Sequence, residues 1–400
     1  MNIGMILDNE FTGDLRVENE VVSLTKSGFS VFVLCLNYGN KDEFEDFHGA
    51  KIIRIKVSKY WTKKFRALTN TVFDFYTKLW SNAIVSFANK YAIDVLHVHD
   101  LYMFGAAFSA NKKLFNRIKV IGDLHENYVE GLKHYKFSTT FPGNLLISIK
   151  KWEKTEVEWI KKLDYAITVI EEAVVRYSNL GIDKNKFIVL PNYVNIQEFT
   201  HDEIDESLKK SFQKYKSILY VGAFDIHRGL ESIVRAMPLI IEKIGSVKLF
   251  LVGTGNNIES LKNLAQNLSI SEHVVFEGWQ PPKRLSSYIH FADICVIPHL
   301  KTVHTDNTIP HKLFQYMLME KPVVATNCNP IKRIVENENC GMIYNSDDSK
   351  DFEEKVLKLF QDNSKAKSMG LNGKSAVLEK YNWDAASKNL IDLYKRMKVQ

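Results

Sequence analysis

The sequence predicts an α/β protein built from two Rossmann-like, doubly wound domains. Three observations carry that prediction. Short β-rich runs alternate with helix-length segments along nearly the whole chain, the pattern of βαβ units and mainly parallel sheets. The alternation breaks at a connector and charged segment near 190–216 and then restarts. The length of 400 residues fits two or three domains of roughly 150 residues each.

The elements follow in order. IGMIL (3–7) is a compact apolar run. Residues 16–27 read as a helix, with Val17, Val21 and Leu24 on one face and Gly28 as its stop. VFVLCL (31–36) is continuously apolar, as in a strand covered on both faces, and KIIRIKV (51–57) alternates. DVLHVHD (94–100), KVIGDLH (119–125), YAITVI (165–170) and FIVLPN (187–192) complete the first set. The second set is SILYVGA (217–223), KLFLVGTG (248–255), VVFEGW (274–279), ICVIPHL (294–300) and PVVATN (322–327). Helices are expected over 229–243, 256–268, 282–291 and 311–319. A last helix near 383–397 carries Trp383, Leu390, Tyr394 and Met397 at helical spacing. It has no following strand, so it must pack on something already built. The expected domains are 1–199 together with 383–400, and 200–382.

Composition narrows the function classes. At 45% hydrophobic and 25% charged, the chain can bury full-sized cores. MNIGMILDNEF does not read as a signal peptide, and no apolar run reaches the roughly 18 residues of a membrane span. Cys35, Cys295, Cys328 and Cys340 form no CxxC pair and read as reduced, buried thiols of a cytoplasmic protein. The net charge of +6 is too modest to predict a nucleic-acid partner. It is uneven, however. Residues 51–80 hold eight basic residues against one acid, Asp74, interleaved with seven aromatics.

Open α/β sheets bind ligands beyond the carboxyl ends of their strands. After the first strand Thr12-Gly13 precedes a helix without a GxGxxG, which argues against a nicotinamide dehydrogenase. Gly253-Thr254-Gly255 offers a turn whose N–H groups could face a phosphate, although such turns are common without ligands. In VGAFDIHRG, Gly222 ends a strand and Arg228 precedes a helix, where a cation is unfavourable unless an anion binds or a surface acid pairs with it. In DNTIPHKLFQYMLMEKPVVATN (306–327), Asn307, Thr308, Lys312 and Gln315 gather at a helix start. His97 and His99 share one face of a strand, as paired metal ligands would, but no third ligand is evident, and no metal is expected.

These strings together resemble the retaining nucleotide-sugar glycosyltransferases of glycosyltransferase family 4, which have the GT-B fold. The marks are DLRVENEVVSLTKSGFSVFVL (14–34), HVHD (97–100), GDLHE (122–126), VLPNYVNIQEF (189–199), VGAFDIHRG (221–229), FLVGTGN (250–256), FEGW (276–279) and IPHKLFQYMLMEKPVVAT (309–326). YNWDAASKNLIDLYKRM (381–397) is similar to the family's C-terminal helix, which crosses back to the N-terminal domain. The resemblance implies two facing domains, a nucleotide sugar held by the C-terminal one, an acceptor held by the N-terminal one, and no metal or other cofactor.

It also implies site residues. His125 matches the histidine beside the donor sugar, with a satisfied structural histidine as the rival reading. Thr12 and Gly13 match the small residues of the first loop. Arg228 stands in the basic slot that neutralises the diphosphate, and Thr308 and Ile309 would offer N–H groups to it. Gly222, Gly253 and Lys312 complete the donor side. Three departures stand out: Ala223 replaces a usual arginine, and Asn307 and Gln315 replace two glutamates. An amide still recognises hydroxyls but supplies no negative charge.

The expected function is transfer of a sugar from a nucleoside diphosphate sugar to an acceptor hydroxyl, in lipid-linked or cell-surface polysaccharide synthesis. A nucleotide-sugar epimerase of the same fold and a noncatalytic nucleotide-sugar-binding subunit are the alternatives. Lys59, Trp61, Lys63, Lys64 and Arg66, with 133–152, would bring the acceptor side to an anionic membrane as a peripheral protein on its inner face. The rival reading makes Phe65, Phe73, Phe75 and Trp80 the buried face of a helix, with the lysines solvated.

Overall fold

The computed structural model describes residues 1–39, 41–125, 127–133, 135–141, 143–200 and 203–399. Glu126 of the GDLHE string, and His134 and Pro142 of the 133–152 stretch, lie outside the described residues. The chain forms two compact units. One is Met1–Pro191 joined by the chain from Ala386 onward; the other is Asn192–Ala385.

The first unit is an eight-stranded sheet of β1 (Asn2–Ile6), β2 (Ser30–Asn37), β3 (Phe44–Phe47), β4 (Ala50–Lys56), β5 (Val95–His99), β6 (Lys119–Leu124), β7 (Tyr165–Thr168) and β8 (Phe187–Val189). Their order is β3-β4-β2-β1-β5-β6-β7-β8. All neighbours pair in parallel except β3, which runs antiparallel to β4 and was not foreseen. The central strands are apolar on both faces because helices cover both. Helix Leu15–Lys26 buries Val17, Val21 and Leu24, and the Asp14 carboxylate caps its start by accepting from the Val17 N–H. Trp80, Ile84 and Phe87 of helix Phe75–Lys90 join Phe104 and Ala107 against Leu96 and Val98. Gly122, within the GDLHE string, serves this packing. A Cβ there would stand 2.4 Å from the Phe104 ring and 2.6 Å from Leu163, an overpacking of the kind that costs about 1–3 kcal/mol.

The last helix, Trp383–Val399, buries Leu390, Tyr394 and Met397. Tyr394 lies 5.7 Å from the Phe29 ring, and the Asn389 amide donates to the Val189 carbonyl at 3.0 Å. Its second half is thus part of the first unit.

The second unit is a six-stranded parallel sheet: β9 (Lys216–Val221), β10 (Val247–Val252), β11 (Val274–Gly278), β12 (Ile294–Ile297), β13 (Val323–Thr326) and β14 (Gly341–Tyr344). The order is β11-β10-β9-β12-β13-β14. β14, only four residues of GMIY, was not foreseen. Helix Leu230–Ile244 seats Ile233, Val234 and Met237 on Tyr220, Leu249 and Leu251. Strand order reverses between β1 and β5 in one unit and between β9 and β12 in the other. These two switch points are where an open parallel sheet leaves a crevice for ligands.

Candidate active site

At the β9/β12 switch point two cations meet without an acid. Arg228 ends the short turn Ile226–Arg228 after β9 and points its Nη1 to His299 Nε2 at 3.1 Å, beyond β12. Its Nε is buried and unbonded. Gly229 makes this approach feasible: its φ is +66°, and a Cβ would meet the Pro298 oxygen at 1.9 Å. Burial, then Lys312 and Arg228, hold His299 well below the usual imidazole range, so it accepts as a neutral ring. Lys312 opens helix Lys312–Leu318 and places Nζ 3.9 Å from the Tyr220 ring centroid. A Cβ at position 222 would stand 2.5 Å from that Nζ, so Gly222 leaves the space Lys312 occupies. Burial and then Arg228 push the Lys312 ammonium well below its ordinary range. Neither cation has a carboxylate partner among the described residues. The reading of Arg228 as half of a surface ion pair is therefore set aside.

The N–H groups of Gly222 and Gly253 are already bonded within the sheet ends. The N–H of Gly222 donates to the Val252 carbonyl at 2.9 Å, and that of Gly253 to the Gly278 carbonyl at 2.8 Å. A Cβ on Gly253 would meet the Gly222 oxygen at 1.9 Å, so this glycine allows close backbone packing. Of the Gly253-Thr254-Gly255 turn, the Gly253 N–H is therefore not free to face a phosphate. Asn307 ties its amide to the Val303 carbonyl at 2.7 Å, and Thr308 its hydroxyl to the His304 carbonyl at 3.3 Å. Ile309 is buried. Gln315 is half-buried, with no side-chain partner among the described residues.

In the first unit, His125 stands at the end of β6 with a side chain 19% exposed. Its Nε2 lies 3.0 Å from both the Asp123 carboxylate and His99 Nδ1. Asp123 in turn accepts from Arg16 Nε and Nη2 at 3.1 and 2.9 Å, and Arg16 Nη1 reaches the Leu190 carbonyl. Glu20, one turn beyond Arg16, lies 3.1 Å from its Nε. Burial alone would raise the Asp123 carboxyl, but Arg16 and His125 outweigh it and hold it well below the carboxylate range. Burial and the Asp123 charge push Glu20 well above the usual carboxylate range, against the pull of Arg16. His125 loses from burial and gains more from Asp123 and Asp100, ending at about 9. His99, buried beside them, falls to about 3. Tyr394 contacts His97 Nδ1 at 2.9 Å.

This cluster was missed from the sequence, including the third and fourth candidate metal ligands. Glu20, His97, His99 and Asp123 bring ligand atoms within 4.8 Å of one another. A cation already sits among them: the Arg16 guanidinium balances Asp123, and His125 adds a second positive charge.

Thr12 is exposed and meets Arg54 Nη2 at 3.3 Å. Gly13 has φ +100° and open space around it, but its N–H donates to the Glu18 carboxylate at 2.7 Å. The basic stretch forms helix Lys59–Ala67 and the start of helix Phe75–Lys90. Tyr60, Trp61, Phe65, Phe73 and Phe75 are exposed, at 65% for Phe75. The buried-face reading holds only for Trp80. Lys64 lies over the Tyr60 ring at 4.2 Å and Lys59 over Tyr38 at 5.7 Å. Arg66 is different: it turns inward to Asp8 at 2.7 Å and is a structural ion pair. No helix among the described residues is long and apolar enough to cross a membrane.

Family models match both units: Glycosyltransferase Family 4 over residues 16–198 and Glycosyl transferases group 1 over residues 202–376. The chain belongs to the family 4-like glycosyltransferases of GT-B fold. An uncharacterised glycosyltransferase of Methanocaldococcus jannaschii is 24% identical over 93% of this chain and 91% of that protein. Alpha-monoglucosyldiacylglycerol synthase of Streptococcus pneumoniae is 22% identical over 86% and 75%. Sucrose-phosphate synthase of Thermosynechococcus elongatus superposes with a TM-score of 0.76 at 17% identity, covering 100% of this chain and 99% of that one. Anabaena HepE, solved in complex with UDP, superposes with a TM-score of 0.72 at 13% identity, covering 99% and 100%.

Proposed function

We propose that this glycosyltransferase is a retaining, metal-independent enzyme that takes its sugar from a nucleoside diphosphate sugar. The observation that carries the reading is the pair Arg228 and Lys312, two cations without acids at a switch point. Leaving them unpaired costs stability, and a diphosphate offsets that cost. As the bond from the anomeric carbon to the β-phosphate oxygen breaks, charge grows on that phosphate, where the two cations stabilise it. The acceptor oxygen bonds to the anomeric carbon on the same face. Its proton passes to the departing phosphate, which leaves as the nucleoside diphosphate. His125, already protonated near neutral pH, orients the sugar and is not the base. Gln315 and Asn307 recognise hydroxyls.

The acceptor side works at an anionic membrane surface in this reading. Exposed aromatics beside Lys59, Lys63 and Lys64 suit a headgroup region, and each lysine contributes about 1 kcal/mol there. The S. pneumoniae relative is named for a lipid product, which supports a lipid-borne acceptor here.

A thermal-shift screen of UDP-, GDP- and ADP-sugars tests the donor. A donor at about 100 times its Kd should stabilise the protein by about 2.7 kcal/mol. No shift with any of them sinks the reading. Turnover of donor without acceptor into a second nucleotide sugar would point to an epimerase.

A further inference from the structure

A row of four rings runs through the first unit from the last helix to the end of β6. Between centroids, Tyr394 lies 6.2 Å from His97, His97 stacks on His99 at 4.6 Å, and His99 lies 5.1 Å from His125. The first three are fully buried, and His125 alone is part-exposed. We propose that Tyr394 is a positioning residue for sugar transfer: through the tautomer of His97 it keeps the His125 Nε2 proton on Asp123 and so fixes the orientation of the His125 ring. The inference rests on the reading of His125 as the group that orients the sugar, and it adds what holds His125 itself.

The contacts start at the Tyr394 hydroxyl, 2.9 Å from His97 Nδ1. Burial, then Glu20 and Asp123, push that phenol well above its usual range, so it keeps its proton and is the donor. His97 Nδ1 therefore accepts. Burial keeps this ring neutral, and its one proton sits on Nε2. That Nε2 lies 3.6 Å from Glu20 Oε2 and 3.8 Å from Asp123 Oδ2, with no hydrogen-bond partner among the described residues. These distances are too long for hydrogen bonds, yet short enough for the sign of the facing edge to count in a dry interior. An N–H there turns a positive edge to Asp123; the other tautomer would turn a lone pair to it. The choice matters at His125, whose Nε2 has two acceptors at 3.0 Å, Asp123 Oδ2 and His99 Nδ1. A lone pair on His97 would press Asp123 Oδ2 out of place and pass the His125 proton to His99. The His125 ring would turn with it, and so would its Nδ1, which makes no hydrogen bond among the described residues. Space-filling does not explain the hydroxyl: a phenylalanine would pack against Phe29 as the tyrosine ring does, without a polar atom to bury.

Proton–nitrogen NMR spectra of the full chain with 15N-labelled histidines test this, since they tell the two neutral tautomers apart and need no substrate. The wild type should show His97 as the Nε2–H tautomer alone and a slowly exchanging proton on His125 Nε2. In Tyr394→Phe, His97 should populate both tautomers, and the His125 Nε2 proton should exchange at least about tenfold faster. The same variant should lower kcat about tenfold while the donor KM moves less than about twofold, the mark of a contact felt in the transition state. Leu390→Val trims the buried face of the same helix one turn earlier, and it should lower the unfolding temperature without that loss of kcat. In a His97→Gln background Tyr394→Phe should add nothing, because the one acts through the other. Unchanged His97 and His125 signals in Tyr394→Phe, an equal loss of kcat in Leu390→Val, or losses that add in the double variant overturn the proposal. Absence of any nucleotide-sugar thermal shift in the wild type would instead remove the sugar-transfer reading, and the spectra would still decide whether Tyr394 holds His125.

Discussion

Replacing Lys312 with methionine tests the cation pair most directly. Methionine keeps an unbranched chain above the Tyr220 ring and removes the charge. In the wild type Nζ sits 3.9 Å from that ring, half-buried, with Arg228 as its charged neighbour. Burial first and Arg228 second push the ammonium well below 10.5. The folded pKa is below the unfolded one, so the unfolded chain binds more protons between the two values. Wild-type stability therefore rises with pH through that window. Lys312→Met loses the slope and should be the more stable protein near neutral pH.

A bound diphosphate reverses the sign of the lysine's environment. A unit charge pair at about 4 Å and an effective dielectric near 20 is worth about 4 kcal/mol before desolvation. After desolvation, a charge-assisted contact nets about 1.5–3 kcal/mol, roughly 10- to 150-fold in affinity. The diphosphate should also pull a proton onto Lys312. Calorimetry at about pH 9, where an ordinary lysine is still charged, should show a binding heat that varies with the buffer's ionisation enthalpy. That dependence should vanish in Lys312→Met. Arg228→Ala should weaken binding too and lower kcat/KM by roughly 100-fold. Equal nucleotide affinity in wild type and Lys312→Met, with no buffer dependence in either, would refute the reasoning.

Gln315→Ala and Asn307→Ala should each cost about 1–2 kcal/mol in donor binding; calorimetry should register Gln315 with the free nucleoside diphosphate and Asn307 only with the intact sugar. His125 has a folded value of about 9 against 6.5, so its stabilisation is complete below about 6.5 and lost as pH rises through 9. Urea unfolding of His125→Gln should lack that decline, on the order of 3 kcal/mol, and a variant with the wild-type slope would count against the Asp123 pairing. Sedimentation with anionic vesicles should recover the protein at low salt and lose it as salt rises or after Lys59, Lys63 and Lys64 become Glu. Arg66 is left intact there because its loss would strand Asp8, and equal binding to neutral vesicles would leave the stretch as ordinary surface.

Most of the fold was legible because buried parallel strands write themselves as continuous apolar runs, as VFVLCL and KLFLV do. The two strands that escaped lack that signature. FEDF at β3 is an edge strand with two acids, and GMIY at β14 is too short to show a period. Gly253 was ambiguous for a different reason. A glycine needed for phosphate approach and one needed for backbone approach look alike, and only the 1.9 Å clash of a Cβ on Gly253 with Gly222 tells them apart. The charged cluster was hidden most deeply, since its members come from a helix, two strands and the loop after β6. One local signal did exist. On helix Leu15–Lys26, Glu20 falls between Val17 and Leu24 on the apolar face, where a carboxylate has no business unless something inside receives it. Arg16 supplies one partner, one turn away. His97, His99 and Asp123 had to come from elsewhere in the fold, and their alternation on β5 and β6 puts them on one side of the sheet. A buried acid in the middle of an apolar helix face thus predicts a buried cation nearby. Here that cation fixes Asp123, and Asp123 keeps His125 charged at the end of its strand.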